Sequence, residues 1–283
     1  MTAVLRAIAA DKLALFGVVI LLIYMIMALF APTIALYDPQ EILVDPETGL
    51  TAKFVPPSLA HPFGTNNLAR DIFSQVVFGS RVALIVGFVS ALAVTFIGAN
   101  VGLLAGYYGG RIDDLLMRVV DVAYSVPFEP FAILLVALLR PSIANLILAM
   151  AVVMWRAPAR VVRAQALSLS QRPYVKAARV AGASNLRILY LHIAPNILPV
   201  MLLYIPVTVG WAIIAEASLS FLGFGDPRMI SWGGILQTAF TSGAMRTAWW
   251  WTVAPGISIV LVVISVFFIS RALEPLTNPT LWD

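Results

Sequence analysis

Side chains able to carry out catalysis are scarce in this sequence and lie far apart. There is no cysteine, which excludes a disulfide framework, a thiolate metal site and a thiol nucleophile. The two histidines, His61 and His192, are well separated along the chain, so the usual zinc sites and Ser-His pairs lack their partners. These residue types argue against an enzyme and against a metal site.

The composition instead indicates a membrane protein. Of the 283 residues, 61% are hydrophobic and only 11% are charged, and the mean hydropathy is +0.94. A soluble globular domain has roughly 25% charged residues. The formal charge of +4 is therefore interpreted as a signal of membrane topology rather than as a nucleic-acid surface.

The spacing of the charges predicts an all-α protein with six transmembrane helices, because a span needs about 20 mostly apolar residues. Four long uncharged runs cover 13–36, 82–110, 193–215 and 247–270. A fifth run at 122–139 contains Glu129 and can begin near residue 112. A sixth at 141–155 can continue through Arg156, whose long side chain reaches the interface.

The distribution of basic residues predicts that both termini are cytoplasmic. With this orientation, twelve of the eighteen lysines and arginines fall in cytoplasmic segments. Residues 1–12 then form a cytoplasmic N-terminus, and 37–80 form an extracytoplasmic loop. Residues 81–283 form a core with the second to sixth spans, in which residues 164–192 are a cytoplasmic loop.

The extracytoplasmic loop is rich in proline, but its last part predicts a short amphipathic helix. Asn66 or Asn67 can cap it, and Leu68, Ile72 and Val76 share one face. We expect this helix to lie at the outer surface, either as part of a receiving surface for a partner or as a simple lead-in to the second span.

The cytoplasmic loop begins with a basic face. Arg156, Arg160 and Arg163 are spaced so that they share one side of a helix leaving the membrane. They can contact lipid headgroups or belong to a partner-binding surface.

Residues 173–191 of the same loop predict a pair of short helices, called the helix pair below. Pro173 suits a first helical position, Gly182 a helix end, and Ser184 or Asn185 a new N-cap, and Pro195 is expected to end the second helix. The second helix carries an apolar stripe of Leu186, Leu189, Tyr190 and Ile193. Exposed apolar area of this kind favours docking of a partner; the alternative is a helix lying on the inner leaflet.

This loop resembles the cytoplasmic EAA motif of ABC importer permeases. The matching residues are Lys176-Ala177-Ala178, Gly182 and Ile197-Leu198-Pro199, with Lys176 where the motif has glutamate. More closely, the chain is similar to the second permease subunit of the dipeptide, oligopeptide and nickel class. That likeness rests on the segments HPFGTNNLARD, WRAPARVVRAQ, YVKAARVAGAS, HIAPNILP and EASLSFLGFGDPRMISWG.

The resemblance implies a type I ABC importer permease fold in the bacterial inner membrane, surrounded by lipid. It also implies a homologous second permease, two cytoplasmic ATPase subunits that bind ATP and Mg²⁺, and an extracytoplasmic solute-binding protein. In agreement, the chain has no G-x-x-x-x-G-K-[ST] phosphate loop, and no cofactor of its own is expected. Peptides are the expected cargo; nickel chelates, glutathione-like compounds and oligosaccharides are alternatives.

On this basis the helix pair is predicted to couple to an ATPase. The coupling residues are expected to be Tyr174, Val175, Lys176, Ala177, Ala178, Arg179, Gly182, Ala183, Ser184, Leu186 and Leu189. The candidate pathway residues are Glu129 and Glu216, because charge within a span is costly. Either carboxylate can instead be a scaffold group, and Glu216 then pairs with Arg228 or Arg246.

Two other classes of protein are less consistent with the residues. An ion-driven secondary transporter is disfavoured because the loops show no inverted repeat and the spans contain only two carboxylates near their middle for ion coupling. An intramembrane enzyme needs paired aspartates or a serine beside a histidine or lysine within the spans, and neither histidine is suitably placed.

Overall fold

The computed structural model describes residues 2–44 and 49–274, with side chains from residue 6 onward. Within these residues the regular secondary structure is helical, apart from two isolated β-bridges, and the described residues between 35 and 71 form an irregular loop. The helices are α1 (Thr2–Ala10), α2 (Lys12–Leu29), α3 (Ala31–Ile34), α4 (Ile72–Tyr108), α5 (Gly110–Ser125), α6 (Phe128–Leu139), α7 (Ile143–Val153), α8 (Arg156–Ser170), α9 (Pro173–Val180), α10 (Asn185–Arg187), a π-helical turn (Ile188–Ile193), α11 (Ala194–Phe221), α12 (Trp232–Thr241) and α13 (Trp250–Leu273).

Five helical segments are long and apolar enough to cross a membrane, and a sixth span is obtained if α5 and α6 count as one. These two helices meet at 86°, at Val126 and Pro127, where the backbone is extended. The fourth span continues from Ile143 to Ser170 through Arg156. The prediction of an all-α membrane protein is confirmed, and its one sharply bent span is the third.

The predicted short helix in the loop is wrong. The Asp71 carboxylate accepts a hydrogen bond from the Ser74 amide at 2.7 Å and caps α4, which then runs unbroken to Tyr108. Asn66 does not cap a helix; its side-chain oxygen accepts the amides of Leu68 and Arg70, both at 2.9 Å, and holds a turn. Of the residues expected on a surface helix, Ile72 and Val76 lie in the first turns of α4, and Leu68 lies in the turn before it.

The predicted helix end at Pro195 is also wrong. The second half of the helix pair passes through the π-helical turn directly into α11. Pro195 lies in the first turn of α11, directly after the π-helical turn, which is where the hydrogen-bonding pattern of the helix changes. The helix pair and the fifth span are thus one continuous element.

The two ends of the bundle are distinct. At one end, called the helix-pair end, Tyr107 at the end of α4 bonds to Asn185, and Asp11 pairs with Arg271 at 2.7 Å. At the other, called the loop end, Arg81 donates from Nε to the Ala28 carbonyl at 2.6 Å. The first span begins and the last span ends at the same end of the molecule, since Asp11 precedes α2 and Arg271 closes α13.

Helix α4 lies at the centre of the bundle and packs against α2, α7, α8 and α11. Its closest neighbour is α8, because Gly98, Gly102 and Gly106 form a stripe without side chains. A Cβ on Gly102 would lie only 2.5 Å from the Ala159 carbonyl oxygen. Small residues of this kind allow membrane helices to pack with their backbones in contact.

Large aromatic residues fill the core at the loop end. Trp232 is fully buried, donates from its indole to the Val76 carbonyl at 2.9 Å, and meets the edge of Tyr24. Trp251 is buried as well, whereas Trp249 is 57% exposed. This core holds α2, α4, α11, α12 and α13 together.

Substitution Gly102→Ala should destabilise the protein by about 1–3 kcal/mol, because the added methyl overlaps backbone atoms of α8 that cannot move independently. Gly256→Ala is the matched control, since a Cβ there meets nothing within 4 Å. The thermal midpoint in detergent, followed by tryptophan fluorescence, should fall only for Gly102→Ala. Equal midpoints for both variants would contradict the close α4–α8 contact.

Candidate functional site

The helix pair has the local structure that its sequence predicts. Helix α9 begins at Pro173, and the turn after it places Gly182 at a φ of +79°, which side-chain-bearing residues rarely adopt. Ser184 then caps the next turn by accepting the Arg187 amide at 3.4 Å. The short first helix, the tight turn at Gly182 and the start of the second helix are confirmed, whereas the second helix is not short because it continues into α11.

The inner face of the helix pair is buried within the chain itself. Val175, Leu189 and Ile193 have no exposed surface and pack with residues of α4 and α8. The neighbouring residues include Leu103, Tyr107, Val162 and Ala166. Two predicted coupling residues, Val175 and Leu189, are therefore unavailable for direct contact with a partner. The spans cover part of the apolar stripe, and only Leu186 and Tyr190 of it are exposed.

The outer face of the helix pair remains exposed and combines apolar with basic groups. Leu186 is 61% exposed and Val180 is 90% exposed. Of the other predicted coupling residues, the exposed ones are Tyr174, Lys176, Ala177, Arg179, Gly182 and Ser184, and the half-buried ones are Ala178 and Ala183. Residues 171–193 contain no aspartate or glutamate. The surface offered to a partner is thus partly apolar and positively charged.

Two hydrogen bonds between side chains fasten the helix pair to α4. Tyr107 donates its hydroxyl to the Asn185 side-chain oxygen at 2.8 Å, and Tyr190 donates to Asn100 at 2.9 Å. Arg179 also lies over the Tyr107 ring, 5.8 Å from its centre. Sequence reasoning missed both of these contacts, because residues so distant along the chain show no shared spacing.

The basic face of α8 is directed towards α5. Arg163 binds the Asp113 carboxylate with two nitrogens, and Arg160 pairs with Asp121 at 2.5 Å. Arg156 donates to the Ala123 carbonyl at 2.9 Å. Neither of the two predicted roles, headgroup contact or partner surface, describes these contacts, which join the start of the third span to the end of the fourth.

The two candidate pathway carboxylates have different surroundings. Glu216 is 1% exposed and accepts a hydrogen bond from the Ser220 hydroxyl at 2.6 Å. The expected pairing with Arg228 is wrong, because Arg228 binds Asp226 instead. Glu129 is exposed in the first turn of α6, directly after the 86° bend. Glu216 is therefore buried and Glu129 accessible, and a role of either carboxylate in the pathway stays a prediction.

The loop end carries a compact polar motif that sequence reasoning did not identify. The Asp71 carboxylate caps α4 with one oxygen and contacts His61 Nδ1 at 3.1 Å with the other. The buried Thr65 hydroxyl accepts the Val55 amide at 2.9 Å, and Trp250 donates to the Thr65 carbonyl at 3.4 Å. These contacts attach the HPFGTNNLARD segment to the starts of α4 and α13.

Comparison with known families identifies two matching regions. Residues 98–279 match the family described as "Binding-protein-dependent transport system inner membrane component". Residues 2–57 match "N-terminal TM domain of oligopeptide transport permease C". The two matches together cover nearly the whole chain, and the first contains the helix pair.

Curated relatives agree with these families. The dipeptide transport system permease protein DppC of Alkalihalophilus pseudofirmus is 34% identical over 275 residues, which are 97% of this chain and 88% of the relative. The oligopeptide transport system permease protein OppC of Bacillus subtilis is 38% identical over 225 residues, which are 79% of this chain and 72% of the relative.

A solved structure shows the same fold. A chain from the inward-facing structures of the MetNI methionine ABC transporter superposes with a TM-score of 0.57 at 20% sequence identity. The superposition covers 72% of this chain and 95% of the MetNI chain. At this level of identity the likeness establishes the fold alone.

Alanine variants of two leucines of the helix pair should distinguish a buried residue, which stabilises the fold, from an exposed residue, which does not. Leu189→Ala removes a fully buried side chain and should cost about 2–5 kcal/mol of stability, whereas Leu186→Ala, at an exposed position, should leave the thermal midpoint within about 0.5 kcal/mol of the parent. Thermal unfolding of both variants in detergent measures the difference. A destabilised Leu186→Ala protein would show that the assignment of inner and outer faces is incorrect.

Proposed function

This chain belongs to the inner-membrane components of binding-protein-dependent transport systems, and we propose that it forms half of the translocation pathway of a bacterial peptide importer, with its helix pair docked on an ATPase subunit. The observation that carries the proposal is the two-sided helix pair, anchored by a buried inner face and presenting an exposed outer face. The dipeptide and oligopeptide permeases among its relatives support peptides as the cargo.

The outer face defines the chemistry of the docking partner. Apolar side chains such as Leu186 and Val180 need an apolar groove, which excludes water when the surfaces meet. The basic residues around them, Arg172, Lys176, Arg179 and Arg187, favour carboxylates at the rim of that groove. Two cytoplasmic ATPase subunits, which bind ATP and Mg²⁺, provide such grooves in our proposal, one for each permease.

Coupling follows from how the helix pair is attached. Because its second half continues through the π-helical turn into α11, a displacement of the pair acts directly on the fifth span. The buried inner face and the bonds of Tyr107 and Tyr190 transmit the same displacement to α4. ATP binding can drive this movement only if the ATPase contacts differ between the two states.

The proposal assigns each of the remaining partners to one part of the bundle. The helix-pair end faces the cytoplasm, together with both termini, and the loop end faces a solute-binding protein outside the inner membrane. A homologous second permease supplies the other half of the pathway, which the exposed carboxylate of Glu129 lines next to the bend of the third span.

Gly182→Arg should abolish ATP-driven transport and the stimulation of ATPase activity by the binding protein, because a long charged side chain then projects from the centre of the docking surface. Gly243→Arg is the matched control: both glycines have φ near +70° and no neighbour within 4 Å of an added Cβ, so the backbone strain is alike. Transport and ATPase assays of the assembled importer in proteoliposomes measure the effect. Normal transport by Gly182→Arg would disprove the docking role.

The cargo is tested with the assembled importer and its binding protein in proteoliposomes. We expect ATP-dependent uptake of a radiolabelled di- or tripeptide, with no competition from a nickel chelate, glutathione or an oligosaccharide. Uptake of one of these compounds in place of peptides would change the substrate class but retain the importer. Uptake by this chain alone, driven by an ion gradient without ATP, would instead establish a secondary transporter.

A further inference from the structure

A pocket of about 250 Å³ lies at the loop end, away from the helix pair. It is formed by the start of α4, the last turn of α11, the segment after α11, and α12. Its polar lining residues include Arg70, Gln75, Asp226, Ser231 and Gln237. A space of this size accommodates one functional group with its side chain rather than a whole oligopeptide, since drug-sized ligands occupy roughly 300–1,000 Å³.

Arg70 is the cation of this pocket, and its position is fixed. Its amide donates to the Asn66 side chain at 2.9 Å, and its carbonyl accepts the Asn66 amide at 3.0 Å. Its Nε is buried but has no hydrogen-bond partner among residues 2–44 and 49–274. A buried donor without an acceptor is unfavourable, so this geometry suits a ligand that brings the acceptor.

The nearby carboxylates are already engaged. Asp71 is bonded to Ser74 and His61, as described above. Asp226 receives two nitrogens of Arg228, at 3.0 and 2.9 Å, and the side-chain hydrogen bond from Arg228 holds the Asp226 pKa below its usual value. Asp226 is therefore ionised and paired with Arg228. Glu216 lies behind the pocket lining, where it is 1% exposed and accepts a hydrogen bond from Ser220. Arg70 is the basic residue of the pocket lining, and no ion pair with a carboxylate is found for it among the described residues.

The side-chain amide of Gln237 adds a second donor. The Gln237 side chain packs against the turn at Gly223, since its nitrogen would lie 3.0 Å from a Cβ added to that glycine. This side-chain amide forms no hydrogen bond with the described part of the chain. Arg70 and Gln237 both line the pocket, and a guanidinium together with an amide donor can bind the two oxygens of a carboxylate.

We propose that this pocket binds a carboxylate group through Arg70 and Gln237. The inference rests on the proposed function, under which two carboxylates reach the loop end: the C-terminal carboxylate of a peptide and an acidic side chain of the solute-binding protein. Both bring the acceptor that buried Nε lacks, and the experiment distinguishes them.

The test uses the assembled importer in nanodiscs and proteoliposomes, with Arg70→Gln, Arg70→Lys and Arg246→Gln. Arg246 is an exposed arginine of the loop end outside the pocket and serves as the control. Two quantities are measured for each variant. The first is the KM for tri-alanine and for its C-terminal amide, and the second is the Kd of the peptide-loaded binding protein at 50 and 200 mM salt.

If the pocket holds the peptide carboxylate, the parent importer should prefer tri-alanine over its amide by at least tenfold in KM, and Arg70→Gln should abolish that preference. If the pocket holds an acidic side chain of the binding protein, Arg70→Gln should raise the Kd of the binding protein at least tenfold and reduce the salt dependence of this Kd. Transport of tri-alanine and of its amide should then be weakened equally. Arg246→Gln should match the parent in each case. If Arg70→Gln does not assemble, the same measurements are made on Arg70→Lys. This variant keeps the charge but lacks Nε, so the same changes in KM ratio or Kd are expected to be smaller.

Identical KM ratios and Kd values for the parent, both Arg70 variants and Arg246→Gln would overturn the carboxylate pocket. A parent importer that carries no peptide but takes up another cargo would refute the proposed cargo instead. The binding-protein measurement still tests the pocket in that case.

Discussion

Burial of the inner face of the helix pair against α4 and α8 is the contact on which the proposed coupling depends. A helix pair held only by its connections would swing when a partner pushed on it, and the spans would not move. Val175 and Leu189 prevent this because they are fully enclosed, and Tyr107 and Tyr190 add directional hydrogen bonds to α4. The contact in turn requires the glycine stripe of α4, since α8 approaches close enough to enclose these side chains only where α4 has no side chains of its own.

Much of the fold could be predicted from the sequence because the bilayer imposes simple rules. The length of each apolar run determines a span, and a break in the third span agrees with the prolines on either side of Glu129. The helix pair was also predictable, since Pro173 and Gly182 each satisfy a backbone requirement that few residues meet. Periodicity alone did not separate Leu186 from Leu189, because both belong to one apolar stripe and only the position of α4 determines which one is buried.

Polar side chains were the harder part of the prediction, because their partners lie on other helices. The spacing of Arg156, Arg160 and Arg163 correctly places them on one face, but the aspartates of α5 that bind two of them became visible only in the structure. Asn66 and Asp71 are both good N-cap residues, and the choice between them depended on His61 and Ser74 beside Asp71. Sequence patterns report which groups are present, whereas tertiary packing decides which of them meet.

Helix α4 connects the two sites of the molecule. It extends for 37 residues, about 55 Å at 1.5 Å per residue, from the cap at Asp71 beside the pocket to Tyr107 beside the helix pair. No proline interrupts it, whereas α11 contains Pro199 and Pro206 and begins at a π-helical turn. Prolines and π-helical turns are places where helices bend, so in the proposed coupling a push at the helix pair changes the angle of α11 relative to α4. That motion reaches the loop-end pocket directly, because α4 and α11 both contribute to its wall.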